Sequence, residues 1–279
     1  MTASNRLNLK VGDEVLEGTI LTPARLIPGV LFVHGWGGSQ EQDMRRAEDI
    51  AQMGCVCFTF DLRGHAKSEP RRMEVTRDDG LTDVLAAYDF LLGQPMVDKN
   101  AIAVVGTSYG GYLATLLTQL RPVHWLALRV PALYPDADWK TPKALLDRRK
   151  IAQFRNRFRG VRKNRSLEAC ARFRGDVLIV ESEHDTVVPH PTMASFIAAF
   201  TSANSLSYRV IKGGDHSLRD EAPRKTYHDL LVTWISEMVR GARRADQPSN
   251  GTMTSVVDEE GGTVASLTTE AAEAGRRAD

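Results

Sequence analysis

The segment Val104-Val105-Gly106-Thr107-Ser108-Tyr109-Gly110-Gly111 restricts the fold of this 279-residue chain more than any other, because it joins a strand to a helix through one tight turn. Upstream, Ala101-Ile102-Ala103-Val104-Val105 is a short apolar, β-branched run, the pattern of a strand buried on both faces. Downstream, Tyr112 to Leu120 is built of good helix formers without a breaker. A residue on so sharp a turn is driven into strained backbone geometry, and its side chain stands clear of the sheet. Gly106 and Gly110 make the turn possible, since a Cβ at either place would meet the neighbouring strand or helix. The side chain raised in this way is the Ser108 hydroxyl, a candidate nucleophile.

A serine hydroxyl is inert near neutral pH without a base and an acid that orients the base. On strand–turn–helix scaffolds of this kind the partners follow in the order acid, then histidine. Asp176 to Glu181 reads as a buried strand, and Asp185 lies in the loop just past its carboxyl end, where parallel sheets carry their ligands. Ser207 to Ile211 reads as a further strand, and His216 follows it in the loop Lys212-Gly213-Gly214-Asp215-His216. Acyl transfer also requires donors for the oxyanion. The strand Gly29 to Val33 runs into His34-Gly35-Trp36-Gly37-Gly38, so the backbone N–H groups of Trp36 and of Tyr109 are the candidate oxyanion hole. Gly35 lets this loop turn under the site, and His34 braces it by hydrogen bonds. The Trp36 indole has two open readings, lining an acyl pocket or packing.

These residues together resemble a serine hydrolase of the α/β-hydrolase fold. The resemblance rests on His34-Gly35-Trp36-Gly37-Gly38, Asp61-Leu62-Arg63-Gly64-His65, the turn around Ser108, Asp185 ahead of Val188-Pro189, and Gly214-Asp215-His216. It covers about residues 15 to 240 and is strongest for the group of dienelactone-hydrolase-like, acyl-peptidase-like and feruloyl-esterase-like enzymes. It implies a mainly parallel, doubly wound sheet of the α/β-hydrolase type, with a small helical cap inserted before the acid-bearing strand. Two departures stand out. Dienelactone hydrolases proper carry a cysteine where this chain has Ser108, and members often carry glycine after the Asp-x-Arg-Gly-His run, where this chain has Ala66.

The remaining elements suit that fold. Leu7 to Leu21 reads as an antiparallel entry to the sheet around Gly12-Asp13. Strands are expected at 30–34, 55–60 and 125–130, with helices at 43–53, 81–92, 191–201 and 222–239. In the second of these helices Leu81, Val84, Leu85, Tyr88 and Leu92 share one stripe. One hydrolase domain is expected over 1–240, with the cap at about 131–175. The tail 241–279, poor in apolar residues, is expected to be disordered.

Composition narrows the partners. A net charge of +1 argues against bulk attraction to nucleic acid or to a membrane surface. Met1 to Lys10 lacks the apolar core of a signal peptide, and no apolar stretch reaches membrane-spanning length, so a cytoplasmic location is expected. Cys55, Cys57 and Cys170 do not suggest a disulfide framework. Neither an organic cofactor nor a metal is expected. Glu181, Glu183, His184 and Asp185 do not converge as ligands, because successive residues at a strand end point in opposite directions.

The most individual segment is the cap. Between Lys140 and Arg174, thirteen Lys and Arg stand against Asp147 and Glu168 alone, so the rest of the +1 chain sums to −10. Thr141-Pro142 reads as a helix start, with Leu146, Ile151, Phe154 and Phe158 as its apolar stripe. The charge has three open readings: an outer face solvated by arginines, a positive mouth for an anionic substrate, or a contact with an acidic partner such as Asp258-Glu259-Glu260. The expected function is hydrolysis of a small carboxylic ester through an acyl-enzyme on Ser108. The alternatives are a peptidase, thioesterase or acyltransferase on the same residues, and a non-catalytic binding protein that uses the basic cap.

Overall fold

The computed structural model describes the backbone of residues 2–11, 14–23, 26–245, 255–257 and 263–265, and the side chains of 26–162 and 164–241. Its centre is a six-stranded parallel sheet of β3 (Ile27–Val33), β4 (Val56–Thr59), β5 (Val97–Thr107), β6 (Trp125–Arg129), β7 (Asp176–Ser182) and β8 (Ser205–Ile211). The spatial order is β4-β3-β5-β6-β7-β8. Sequence order thus reverses beside β3, and the loops at the carboxyl ends of β3, β5 and β6 open beside one another. Val30, Leu31, Ala103, Val104, Leu126 and Leu128 are all 0 % exposed, as strands covered on both faces require.

The helices are α1 (Glu41–Gln52), α2 (Arg77–Leu92), α3 (Tyr109–Leu117), α4 (Arg148–Arg155), α5 (Arg165–Arg172), α6 (His190–Ala199) and α7 (Glu221–Ala245). Helix α2 starts at a capping box in which the Thr76 hydroxyl accepts the Asp79 N–H and the Asp79 carboxylate accepts the Thr76 N–H. It buries Val84, Tyr88 and Leu91 against the sheet. Among the described residues no helix is long and apolar enough to cross a membrane.

Two expectations are corrected. The amino-terminal strands β1 (Thr2–Val11) and β2 (Glu14–Pro23) pair antiparallel with each other as a separate two-stranded sheet. Their ladder bonds close within the hairpin, and β4 remains the last strand of the six. The cap helix does not begin at Thr141-Pro142. Pro142 has an extended ψ of 130°, and the next residue's N–H, that of Lys143, is taken by the Val75 carbonyl at 2.8 Å. Only a 3-10 turn, Lys143–Leu145, forms there. Helix α4 starts after Asp147, whose carboxylate accepts the N–H groups of Arg149 and Lys150. It ends at Arg155, so Phe158 falls outside the stripe and is 59 % exposed, while Leu146, Ile151 and Phe154 pack on the core.

The chain divides into two compact units, Met1–Val239 and Arg240–Asp279. Within the second, β9 (Ser255–Val257) and β10 (Thr263–Ala265) pair antiparallel. Residues 241–245 of the tail continue helix α7, against the expectation of disorder there; apart from these and the two strands, the tail and the expectation attached to it lie outside the described residues.

Candidate active site

Ser108 follows β5 directly and precedes the first residue of α3, and its backbone adopts φ 51° and ψ −112°. For a residue with a side chain this is strained geometry, held only because the surroundings leave no alternative. The crowding is measurable at Gly110, where a Cβ would lie 2.0 Å from the Val33 carbonyl oxygen and 2.6 Å from that of His34. At Gly106 it would lie 2.7 Å from the Gly111 Cα. Helix α3 therefore approaches β3 and β5 more closely than a side chain at either glycine permits.

Three loops converge on the Ser108 hydroxyl. Its Oγ is 3.1 Å from His216 Nε2, and His216 Nδ1 is 2.6 Å from Asp185 Oδ2. The second Asp185 oxygen accepts the N–H groups of Val187 and Val188, both at 2.7 Å. With one carboxylate oxygen committed to backbone donors, the other is left to receive Nδ1–H, and Nε2 faces the serine as an acceptor. The acid and base loops are stitched together, since His184 N–H donates to the Gly214 carbonyl at 2.8 Å and Gly213 N–H to the Glu183 carboxylate at 2.8 Å. The Asp185 side chain is 1 % exposed and that of His216 22 %, which leaves the base open on one side.

The loop after β3 lies against the nucleophile. A Cβ on Gly35 would sit 3.3 Å from the Ser108 Cβ, so the following amide, that of Trp36, is carried beside the serine. Tyr109 is the first residue of α3, and its N–H precedes the first intrahelical bond, from Tyr112 N–H to the Ser108 carbonyl. Two histidines lock this loop to the one after β4 in a reciprocal exchange. Leu62 N–H donates to His34 Nε2 at 3.0 Å, and Gly37 N–H donates to His65 Nε2 at 3.0 Å. Each ring must then carry its proton on Nδ1, and His34 Nδ1 donates to the Gly35 carbonyl at 2.8 Å. Burial depresses the pKa of both rings, outweighing the carbonyls that favour the charged form. Where relatives often carry glycine, Ala66 holds a φ of 47°.

Of the four residues weighed as metal ligands, three are engaged with other side chains, and His184 lies 3.9 Å from the Glu183 carboxylate. Glu181 accepts from Tyr208 and pairs with His190, Glu183 pairs with Lys212, and Asp185 faces His216. Among the described residues no cluster of His, Cys, Asp and Glu has the arrangement of a metal site.

Sequence reasoning missed the cations that face inward. Lys143 Nζ lies 4.0 Å from the Trp36 ring centroid and 4.9 Å from that of Tyr109. Arg155 is only 7 % exposed and donates to the carbonyls of Leu133 and Val187, so it is not part of the cap's outer charge. Burial raises the Tyr134 hydroxyl, but the Lys143 ammonium and the Arg155 guanidinium reverse this and hold its pKa below the ordinary tyrosine value. Arg129 at the end of β6 is also buried. The signal for it was present, a charged residue closing the apolar run Trp125-Leu126-Ala127-Leu128. The inward turn of Lys143 and Arg155 has no counterpart in local sequence.

Comparison with known proteins bears on the family and the fold. Residues 42–242 match the model of the prolyl oligopeptidase family. An uncharacterized protein of Mycobacterium tuberculosis is 28% identical over 213 residues, covering 75% of this chain and 70% of that protein. Among solved structures, the dienelactone hydrolase of Anabaena variabilis superposes with a TM-score of 0.55 at 18% identity, over 86% of this chain and 99% of its own. The acylaminoacyl peptidase of Pyrococcus horikoshii superposes with a TM-score of 0.55 at 19% identity, over 85% of this chain and 42% of that one.

Proposed function

From the premise that the chain belongs to the prolyl oligopeptidase family and is a serine hydrolase of the α/β-hydrolase fold, we propose that it cleaves a small carboxylic ester through an acyl-enzyme on Ser108. The observation that carries the reading is the unbroken hydrogen-bonded line from Ser108 Oγ through His216 to Asp185. Ser108 Oγ attacks the ester carbonyl while its proton passes to His216 Nε2, and Asp185 holds the imidazolium through Nδ1. The carbonyl oxygen, now negative, is received by the amides of Trp36 and Tyr109. Collapse of the tetrahedral intermediate expels the alcohol, which takes the proton from Nε2. A water activated by His216 then releases the carboxylic acid and restores Ser108. The residues supply the nucleophile, the base and the donors, so no metal or organic cofactor enters the scheme.

The family's peptidases give the second reading its weight, since the same residues cleave amides when the substrate amine is held as a leaving group. Thioesterase and acyltransferase chemistry differ only in the leaving group or the acceptor. A parallel series of nitrophenyl acyl esters, acyl thioesters and aminoacyl nitroanilides decides between them. Esters are expected to be cleaved with kcat/KM at least about a thousandfold above the anilides, and the reverse order would make the protein a peptidase. Ser108→Ala and His216→Ala are expected to lower turnover by about 10⁴- to 10⁶-fold, with Asp185→Asn the mildest loss. A Ser108→Ala protein that kept more than a few per cent of activity would remove the nucleophile assignment.

A further inference from the structure

Ser108 is held through both of its peptide atoms by the segment that leaves β6. Its N–H donates to the Arg129 carbonyl at 2.9 Å, and its own carbonyl accepts the Ala132 N–H at 2.9 Å. Between those anchors Val130, a β-branched residue, is bent to a φ of 39°, with its N–H taken by the Val180 carbonyl of β7 at 2.8 Å. The strained serine is therefore gripped from either side of a second strained residue, and neither conformation is explained by local preference.

The same residue that opens this grip also reaches the base. Arg129 is 7 % exposed, and its Nη1 donates to the backbone carbonyl of His216 at 2.9 Å. Its guanidinium rests 5.4 Å from the centroid of the Tyr227 ring on α7. Burial opposes its charge, while Asp43 and Asp185 favour it through space. A guanidinium in such a setting is costly to desolvate, and its polar contact here is a loop carbonyl.

We propose that Arg129 is a positioning residue that places nucleophile and base in one rigid frame, its carbonyl fixing Ser108 and its guanidinium fixing His216. It touches no reacting atom. Its contribution is to the 3.1 Å approach of His216 Nε2 to Ser108 Oγ, where it adds a hold on the His216 backbone to the bonds from Asp185 and the loop after β7. The inference rests on the reading of Ser108 and His216 as nucleophile and base.

The test compares Arg129→Met, Arg129→Lys and Tyr227→Leu with the parent and with Ser108→Ala, using a neutral nitrophenyl ester and a fluorophosphonate that labels activated serines. Arg129→Met removes the donor at similar length and is expected to lower kcat by about 10- to 100-fold with KM held within about threefold, since a misplacement near 1 Å costs on that order. Labelling of Ser108 slows in parallel. Arg129→Lys, which keeps a cationic donor, is expected to recover most of the rate. Should the methionine variant not fold, Tyr227→Leu removes the platform under the guanidinium and is expected to lower kcat by about 3- to 10-fold with KM unchanged. A folded Arg129→Met with parental kcat, a loss confined to KM, or a Tyr227→Leu protein indistinguishable from the parent would each overturn the proposal. An active Ser108→Ala protein would instead overturn the reading beneath it.

Discussion

At the scale of single residues, the two histidines of the loop exchange set a limit on acid stability. Each ring accepts a backbone N–H at Nε2, an arrangement available only to the neutral imidazole. Their folded pKa values lie below the ordinary 6.5 because burial disfavours the charged ring. A depressed histidine pKa means the unfolded chain binds more protons across the window between folded and unfolded values. Stability from this source is therefore fully present above 6.5 and is lost as pH falls from there through the folded values. Urea unfolding is expected to show a midpoint that drops between about pH 7 and about pH 5. His65→Gln, whose amide oxygen can still accept the Gly37 N–H without titrating, is expected to flatten part of that slope. An unaltered slope would assign the acid sensitivity to other groups.

At the scale of elements, the turn between β5 and α3 tolerates no added atom. In Gly110→Ala the new methyl would stand 2.0 Å from the Val33 carbonyl oxygen, on a strand that lies next to β5 and cannot retreat without opening the sheet. The expected outcome is a loss of about 3 kcal/mol or more in chemical unfolding, at the upper end of overpacking costs. A soluble variant with parental stability would mean that α3 can shift along β3. Clashes of this kind explain why the turn is so legible in sequence: glycine is needed for the close approach of backbone to backbone, and the strand and helix patterns on either side leave one way to connect them. The cap was less legible for the opposite reason. Its helices are short, α4 covers only Arg148–Arg155, and the tertiary bond from Lys143 N–H to the Val75 carbonyl displaced the start that Thr141-Pro142 suggested.

At the scale of the whole molecule, the surplus of positive charge in the cap is divided between two populations. Lys143 and Arg155 are turned toward aromatic rings and carbonyls, whereas Arg148, Arg149, Lys150 and Arg157 are exposed. Only the exposed group can act on an approaching solute over a distance, and screening shortens its reach to about 8 Å at physiological ionic strength. If that face steers anionic substrates, kcat/KM for a carboxylate-bearing ester falls as salt rises, while a neutral ester of similar size is unaffected. Replacement of Arg148, Arg149 and Arg157 together by Gln then reproduces the salt effect at low ionic strength and leaves kcat unchanged. Equal salt dependence for the two esters, with a silent triple variant, would leave the exposed arginines as a solvated surface.

What the chain determined by itself were the features with local causes. Short apolar runs placed β3, β5, β6 and β7, and the paired glycines placed the turn at Ser108. The loops past β7 and β8 put Asp185 and His216 at the same edge of the sheet. Periodicity and turn chemistry are written over a few adjacent residues, so they survive in a single sequence. Tertiary structure decided what depends on residues far apart in the chain. It closed the 2.6 Å contact of His216 with Asp185, the crossed bonds of His34 and His65, and the reach of Arg129 to a carbonyl 87 positions away. It also turned Lys143 and Arg155 inward, because the free energy of a buried cation depends on the rings and carbonyls that surround it and not on its neighbours in sequence.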